Sequence, residues 1–532
     1  MGNRIYSAVL STLFLLVLIV PLGLFLVSPR KEISTAEKRK LATFPKVKGN
    51  LQGMLAFPKQ FDIFYQDHFG LRDSLIRASN AISLNVLHLS PSPVVIKGKE
   101  GWFFYTGESV IDDYYGQRQA DAISMDEYLA LFADRRDWLS RIGVRYLFIP
   151  VPNKITVYDA YLPNRIQRSR GLSFYEEFIA AANKEVTFHD TVNLYALFKR
   201  HKEERQLYFK TDTHWTNEGA MLAFNQMIAY CKQWFPEAQM RAISKDEFSI
   251  DNVPFSGDLA RLMHLEKEVG ETVPVVHIKQ PCAGTDQPLS AQELALLPDR
   301  KAAAKAPSTN GCPQQKLTAL VIHDSFGNGL RRYFNERFKR VIYSPNVPFD
   351  QLKQLISHVK PDIVFDVWVA RNMQRIAPDP QLTAAVLEAQ YAASDKVRLR
   401  VDNSLDINSV SLRHDLRLQP STDGLLLQAT SSDPYFVVPF TPPADGERYL
   451  VEVNVDAPQD TDFALYFTTA DDQGTIRPQH RVEQNVRKGA NRLLFRLPHP
   501  HVKGLIRIDP GTTTGTYLLR SLTIKAVPTT KQ

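Results

Sequence analysis

Cysteine is scarce here: 532 residues hold three, Cys231, Cys282 and Cys312. With no further spaced His or Cys to complete a zinc set, a structural metal site is not expected. There is no Gly-rich nucleotide-binding loop, so a bound dinucleotide or nucleotide cofactor is not expected either. No dense Lys/Arg stripe interleaved with aromatics occurs, and a net charge of +7 is dilute over this length, which argues against nucleic acid as a partner. Internal repeats are absent, which excludes a solenoid. What remains is a globular composition, 44% hydrophobic and 23% charged, long enough for two or three domains.

Long apolar runs are nearly lacking too, with one exception. From Tyr6 to Val27 about 22 residues carry no charge, enough to cross a bilayer. A cleaved signal peptide is the alternative, but the run exceeds an ordinary signal core and no A-x-A site follows. Residues 1–30 are therefore expected to be a signal anchor and residues 31–55 a polar, basic stalk. Charge counting, with Arg30, Lys31, Lys38, Arg39 and Lys40 after the span, places the bulk of the chain in the cytoplasm. The cysteines point the other way. Cys282 and Cys312 flank an insertion rich in Pro, Ala, Ser and Lys, and a disulfide there would contribute roughly 3 to 4 kcal/mol by loop entropy in an oxidising compartment. Cys231 falls on a helical apolar stripe as a buried hydrophobe.

Between residues 56 and 394 strands alternate with helices. Ser124 to Glu127 reads as a capping box opening a helix. Val144 to Ile149, Val186 to His189, Leu317 to Ile322, Val341 to Tyr343 and Ile363 to Val369 read as strands. Helices are expected around residues 57–65, 175–183, 217–235, 291–297, 327–340 and 349–359. This implies an α/β fold with a mostly parallel, doubly wound sheet. Near residue 395 the pattern changes to eight or nine short period-two strands, which describe an all-β sandwich or jelly roll over 395–532.

The chemistry concentrates in Asp212-Thr213-His214-Trp215 and His323-Asp324-Ser325-Phe326-Gly327. A serine hydroxyl becomes a nucleophile when an imidazole takes its proton and a carboxylate orients that imidazole. Ser325 stands at a strand-to-helix turn, where backbone N–H groups can stabilise an oxyanion. His214 and Asp212 are the expected partners. Asp324 is expected to serve the turn. Bland roles stand beside these: a capped turn for Asp212 and His214, a helix cap for Ser325, or a metal set of Asp212, His214, His323 and Asp324. Asn153 at a strand end is an oxyanion candidate or an Asx turn. Lys154, Arg371, Tyr105 and Trp215 are candidates for substrate contact, against ion pairing or core packing.

Asp-x-His-Trp before Gly219-Ala220, with Asp-Ser-Phe-Gly further on, resembles the alginate O-acetyltransferase family of bacterial exopolysaccharide machinery, whose catalytic domain is SGNH-hydrolase-like. Asp67 to Arg72, Gly101 to Tyr105, Pro152-Asn153-Lys154 and Arg371-Asn372 agree with it. The resemblance implies Ser325 as nucleophile, His214 as base and Asp212 as its orienting carboxylate. It also implies a periplasmic enzyme on the inner membrane that acetylates an exopolysaccharide. The acetyl supplier would be a membrane-bound O-acyltransferase, with other secretion proteins as partners, no coenzyme, and a sandwich that holds polymer. An acetylesterase or a non-catalytic polysaccharide-binding assembly protein are the rival expectations.

Overall fold

The computed structural model describes residues 2–527 apart from 29, 31, 35–38, 47–49, 118–124, 185–187, 298–306, 346, 443–446, 470–471, 479 and 498–501. Ser124 of the capping box and the first half of the strand expected from Val186 to His189 lie outside the described residues. Just beyond that strand position, Thr191 makes a single parallel bridge with Phe148.

The apolar run forms α1 (Gly2–Val27), with residues 5–27 long and apolar enough to span a membrane. α2 (Leu51–His68) begins inside the segment expected to be a stalk, because Asn50 accepts a hydrogen bond from the Gly53 N–H and caps it. α3 (Arg72–Asn85) comes after a short turn.

The central sheet has six strands: β1 (Arg145–Val151), β2 (Gln287–Pro288), β3 (Ser308–Asn310), β4 (Thr318–His323), β5 (Arg340–Pro345) and β6 (Ile363–Val369). Their order is β1-β6-β4-β5-β3-β2. The first four in that order run parallel, and the two short edge strands are antiparallel. Around the sheet run α4 (Met125–Arg141), α5 (Phe174–Lys184), α6 (Asn217–Trp234), α7 (Asp258–Leu262), α8 (Gly327–Arg337), α9 (Lys353–Val359) and α10 (Pro380–Ala392).

Alternate strand residues feed two cores, as a sheet covered on both faces requires. Leu147, Ile149, Val321, Val341 and Phe365 pack beneath α6 and α8 with Phe224, Leu330 and Phe334. Tyr146, Phe148, Leu320, Ile342 and Val364 pack beneath α4, α5, α9 and α10 with Phe132, Phe178, Leu355 and Val386. This is the doubly wound α/β sheet expected from the sequence.

Among the described residues from Val397 to Val527 the chain forms two antiparallel sheets, one of six strands and one of five. They close on a shared core in which Val451, Val453, Leu519 and Ile524 of one meet Phe436, Phe463, Leu465 and Ile506 of the other. The all-β sandwich is thus present, with more strands than the eight or nine expected, because residues 412–421 pair as two short strands. The six-stranded sheet packs on α10 through Leu387, Tyr391, Leu450 and Val527. Arg496 reaches across to Asp134 on α4.

Candidate active site

Parallel strands gather their carboxyl ends at one edge, and the turns that succeed β1, β4 and β6 meet there. β4 ends at His323, and the next three residues turn into α8. Asp324 is buried, and its carboxylate accepts from the Phe326 N–H at 3.0 Å, the Val369 N–H at 2.8 Å and Asn372 Nδ2 at 3.1 Å. It therefore clamps the β4 turn to the end of β6. Ser325 is left exposed, with its Oγ 2.8 Å from His214 Nε2. The hydroxyl is engaged by the imidazole and does not cap α8, whose N-cap is Phe326.

His214 stands on the loop ahead of α6. Its Nδ1 lies 2.6 Å from Asp212 Oδ1, which also accepts the His214 backbone N–H at 2.9 Å. A proton on Nδ1 shared with Asp212 leaves Nε2 as the acceptor for the serine hydroxyl. The other Asp212 oxygen accepts the Asp258 N–H at 2.8 Å. Burial raises the Asp212 carboxyl, but the hydrogen bond and charge of His214 outweigh it and hold the group below the usual carboxylate range.

The loop is braced from behind. Lys154 Nζ donates to the carbonyls of Asp212 at 2.7 Å, Phe209 at 3.0 Å and Lys210 at 3.2 Å. Burial pushes that ammonium down to about 7, against the pull of Asp212, Asp258 and Glu271. Glu271 accepts from the N–H groups of Lys210 at 3.0 Å and Thr211 at 2.7 Å. Asp258, first residue of α7, accepts from the Thr213 N–H at 2.7 Å and Thr213 Oγ1 at 2.6 Å, and stands 3.7 Å from His214 Nδ1. α7 approaches this closely because residue 257 is glycine: a Cβ there would meet Asp212 Cβ at 2.4 Å.

Asp212, His214 and Asp258 offer ligand atoms within 4.8 Å of one another. Both oxygens of each carboxylate already accept hydrogen bonds from the loop or from α7, which fixes them as braces of the His214 loop. The metal set with His323 and Asp324 is not assembled, since Asp324 is committed to its turn.

Ser325 and His214 open into a cavity of about 540 Å³, lined also by Tyr105, Glu108, Asp258, Arg261, Leu262, His264 and Arg371. Arg371 Nε donates to Glu108 at 3.1 Å, and its guanidinium lies 5.7 Å from the Tyr105 ring centre. Burial and the Glu108 charge raise the Tyr105 phenol. Of the other residues the sequence suggested, Asn153 is buried after β1 with neither amide atom hydrogen-bonded, and it does not line this cavity. Trp215 shows it no face, being buried with Nε1 donating to the Phe326 carbonyl at 3.1 Å. Lys154 lies behind the loop. Cys282 and Cys312 are bonded, Cα to Cα 5.2 Å, and join the ends of the insertion ahead of β4.

Residues 95–304 match the family model described as SGNH hydrolase-like domain, acetyltransferase AlgX. That segment is thus similar to the SGNH hydrolase-like acetyltransferase family over well under half of the chain. Asp212 and His214 lie inside the match and Ser325 beyond its end. The chain is similar to the probable alginate O-acetylase AlgJ of Pseudomonas syringae pv. tomato, 27% identical over 41% of this chain and 53% of that protein. It thus spans about half the length of the curated relatives it matches. Among solved structures, the O-acetyltransferase domain of Pseudomonas putida AlgJ aligns at 20% identity and a TM-score of 0.36, over 55% of this chain and 99% of that one. The C-terminal CBM6 of LamC from Zobellia galactanivorans aligns at 13% identity and a TM-score of 0.19, over 24% of this chain and 98% of that one. At these scores neither alignment bears on function.

Proposed function

We propose that the chain is an O-acetyltransferase that carries an acetyl group through Ser325 to a hydroxyl of a bacterial exopolysaccharide, on the periplasmic side of the inner membrane. The observation that carries this is the unbroken relay from an exposed Ser325 through His214 to Asp212, at 2.8 and 2.6 Å, facing an open cavity.

Ser325 Oγ attacks the acetyl carbonyl of the donor while His214 Nε2 takes its proton. The C=O pair moves onto oxygen, and the oxyanion forms beside the first turn of α8. When the C–O bond to the donor breaks, His214 returns the proton to the departing alkoxide, leaving acetyl-Ser325. An acceptor sugar hydroxyl then gives its proton to His214, attacks the acetyl carbon and restores the serine. Asp212 remains ionised throughout and offsets the imidazolium charge. Arg371 and Tyr105 flank the acceptor.

The relatives' printed name, alginate O-acetylase, supports an exopolysaccharide acceptor. The Cys282–Cys312 bond supports an oxidising compartment. The acetyl supplier is a membrane-bound O-acyltransferase working with other secretion proteins. The sandwich, none of whose described residues lines the cavity, holds polymer at a distance. Incubating the full chain with an activated acetyl ester and acidic oligosaccharides tests the reading. Acetylated sugar is the expected product, and free acetate alone would leave an esterase in its place.

A further inference from the structure

α3 carries an apolar stripe on its outer side. Leu75 and Ile82 of α3, with Leu71 and Val86 at its two caps, are 50%, 55%, 42% and 67% exposed, and their spacing keeps to the helical period along one face. None of the described residues covers them. The inner side is committed: Leu84 packs with Leu259, Met263 and Leu265, and Asn80 donates to the Met263 carbonyl at 2.8 Å. Exposed apolar rows of this length mark a contact surface.

The place of the stripe in the fold says what touches it. The α2–α3 turn sits directly on the last two turns of α1. A Cβ on Gly70 would lie 2.2 Å from the Pro21 carbonyl oxygen, and Phe25 packs edge-on against Phe64 and Tyr65 at 5.9 and 5.0 Å. Pro21 and Phe25 belong to the 23-residue apolar span that ends at Val27. At 1.5 Å of rise per residue Pro21 lies about 9 Å before the end of that span. Whatever packs against it therefore stands at the depth of the bilayer boundary, and the stripe starts at the residue after Gly70. Arg30, just past the span, lies over the rings of Phe25, Phe44 and Phe64 at 5.9, 5.5 and 4.8 Å. An apolar collar topped by a cation suits the headgroup level of an anionic membrane.

We infer that α2 and α3 form an interfacial collar around the exit of α1, with the α3 stripe seated in the lipid boundary. The inference rests on α1 spanning the membrane. Its consequence concerns the site: α3 packs on the segment that carries Arg261, Leu262 and His264, which line the cavity beside Ser325. The collar fixes the mouth of the cavity near the membrane surface, within reach of an acetyl donor that arrives through the bilayer.

The test uses the full chain in nanodiscs of phosphatidylethanolamine and phosphatidylglycerol, spin-labelled one position at a time through Leu75→Cys, Ile82→Cys and Val86→Cys. The native cysteines do not interfere, since Cys231 is buried and the other two are bonded. Relaxation by oxygen, which partitions into lipid, should exceed relaxation by a water-soluble nickel chelate at all three positions. At Leu412→Cys, exposed on the sandwich, the order should reverse. Any other pattern at the three sites overturns the collar: nickel access means the stripe faces water, and shielding from both reagents means a protein, partner or second copy, covers it. A fifth label at Val17→Cys separates the two premises. Lipid there with water at the stripe sinks the collar alone, whereas no lipid at Val17 removes the span on which it rests.

Discussion

The α/β body and the sandwich are built on the same alternation of apolar residues, yet the body buries far more of its charged groups. In the body Arg135 is sealed between Asp366 and Asp379 at 2.8 and 2.7 Å, and Tyr146 and Trp368 also donate to Asp366 at 2.8 and 2.6 Å. Lys154, Asp212, Asp324 and Glu271 continue this polar framework up to the sheet edge. Among the described residues the sandwich buries one carboxylate, Asp472, which accepts from Thr469 and pairs with Arg477 at 2.8 Å, whereas other pairs, such as Arg398 with Glu447 and Arg520 with Asp456, are partly exposed. Buried ions are costly to desolvate and persist only with complete sets of partners, so each one fixes several backbone positions at once. The region proposed to hold a nucleophile, a base and a carboxylate in register is the one that keeps most of them.

The largest effect expected from breaking this contrast is at the edge itself. Ser325→Ala should lower kcat/KM by about 10³- to 10⁶-fold with unfolding unchanged, as steady-state kinetics and a thermal melt would show. Next comes the framework. Arg135→Met leaves two buried carboxylates uncompensated and should destabilise the chain by about 3 to 5 kcal/mol in denaturant unfolding. The matching change in the sandwich, Arg398→Ala, should leave the unfolding transition nearly unchanged. Asp258→Ala removes the acceptor for both Thr213 donors, and turnover should fall about 10- to 100-fold, the size of one charge-assisted hydrogen bond.

A smaller effect is a pH dependence. Burial pushes the Asp113 carboxyl up to about 6, while its side chain accepts the Phe174 N–H at 2.8 Å. Between about pH 4 and 6 the folded chain then holds a proton that the unfolded chain has lost. Stability contributed by that proton is full below about pH 4 and is lost as pH rises through about 6. Asp113→Asn should flatten the pH dependence of unfolding in this window.

The elements that carry the reacting groups were legible because their sequences repeat at one period. The run before Ser325 is continuous and apolar, as a strand buried on both faces must be, and α6 starts at Asn217 where the helix was expected to start. α8 ends at Arg337 rather than Arg340, since Arg340 begins the next strand. Asp258 and Glu271 were not legible. They belong to or flank a hairpin of residues 248–255 and 271–278, whose first strand is mostly exposed and shows no alternation. Only Gly257 before Asp258 hinted at a close approach. Trp215 looked like a sugar-stacking ring from its neighbours in the motif, but the motif says nothing of direction, and the indole turns inward to the Phe326 carbonyl. The sandwich was legible in class and not in strand count, because strands as short as residues 412–414 hold too few residues to show a period.

The central claim is that Ser325 carries the acetyl group. The full chain, incubated with an activated acetyl ester and quenched in acid, should yield one peptide heavier by a single acetyl group, with the modification on Ser325 and absent from Ser325→Ala. An acetyl group mapped to another residue, or undiminished labelling in the Ser325→Ala chain, would contradict the account.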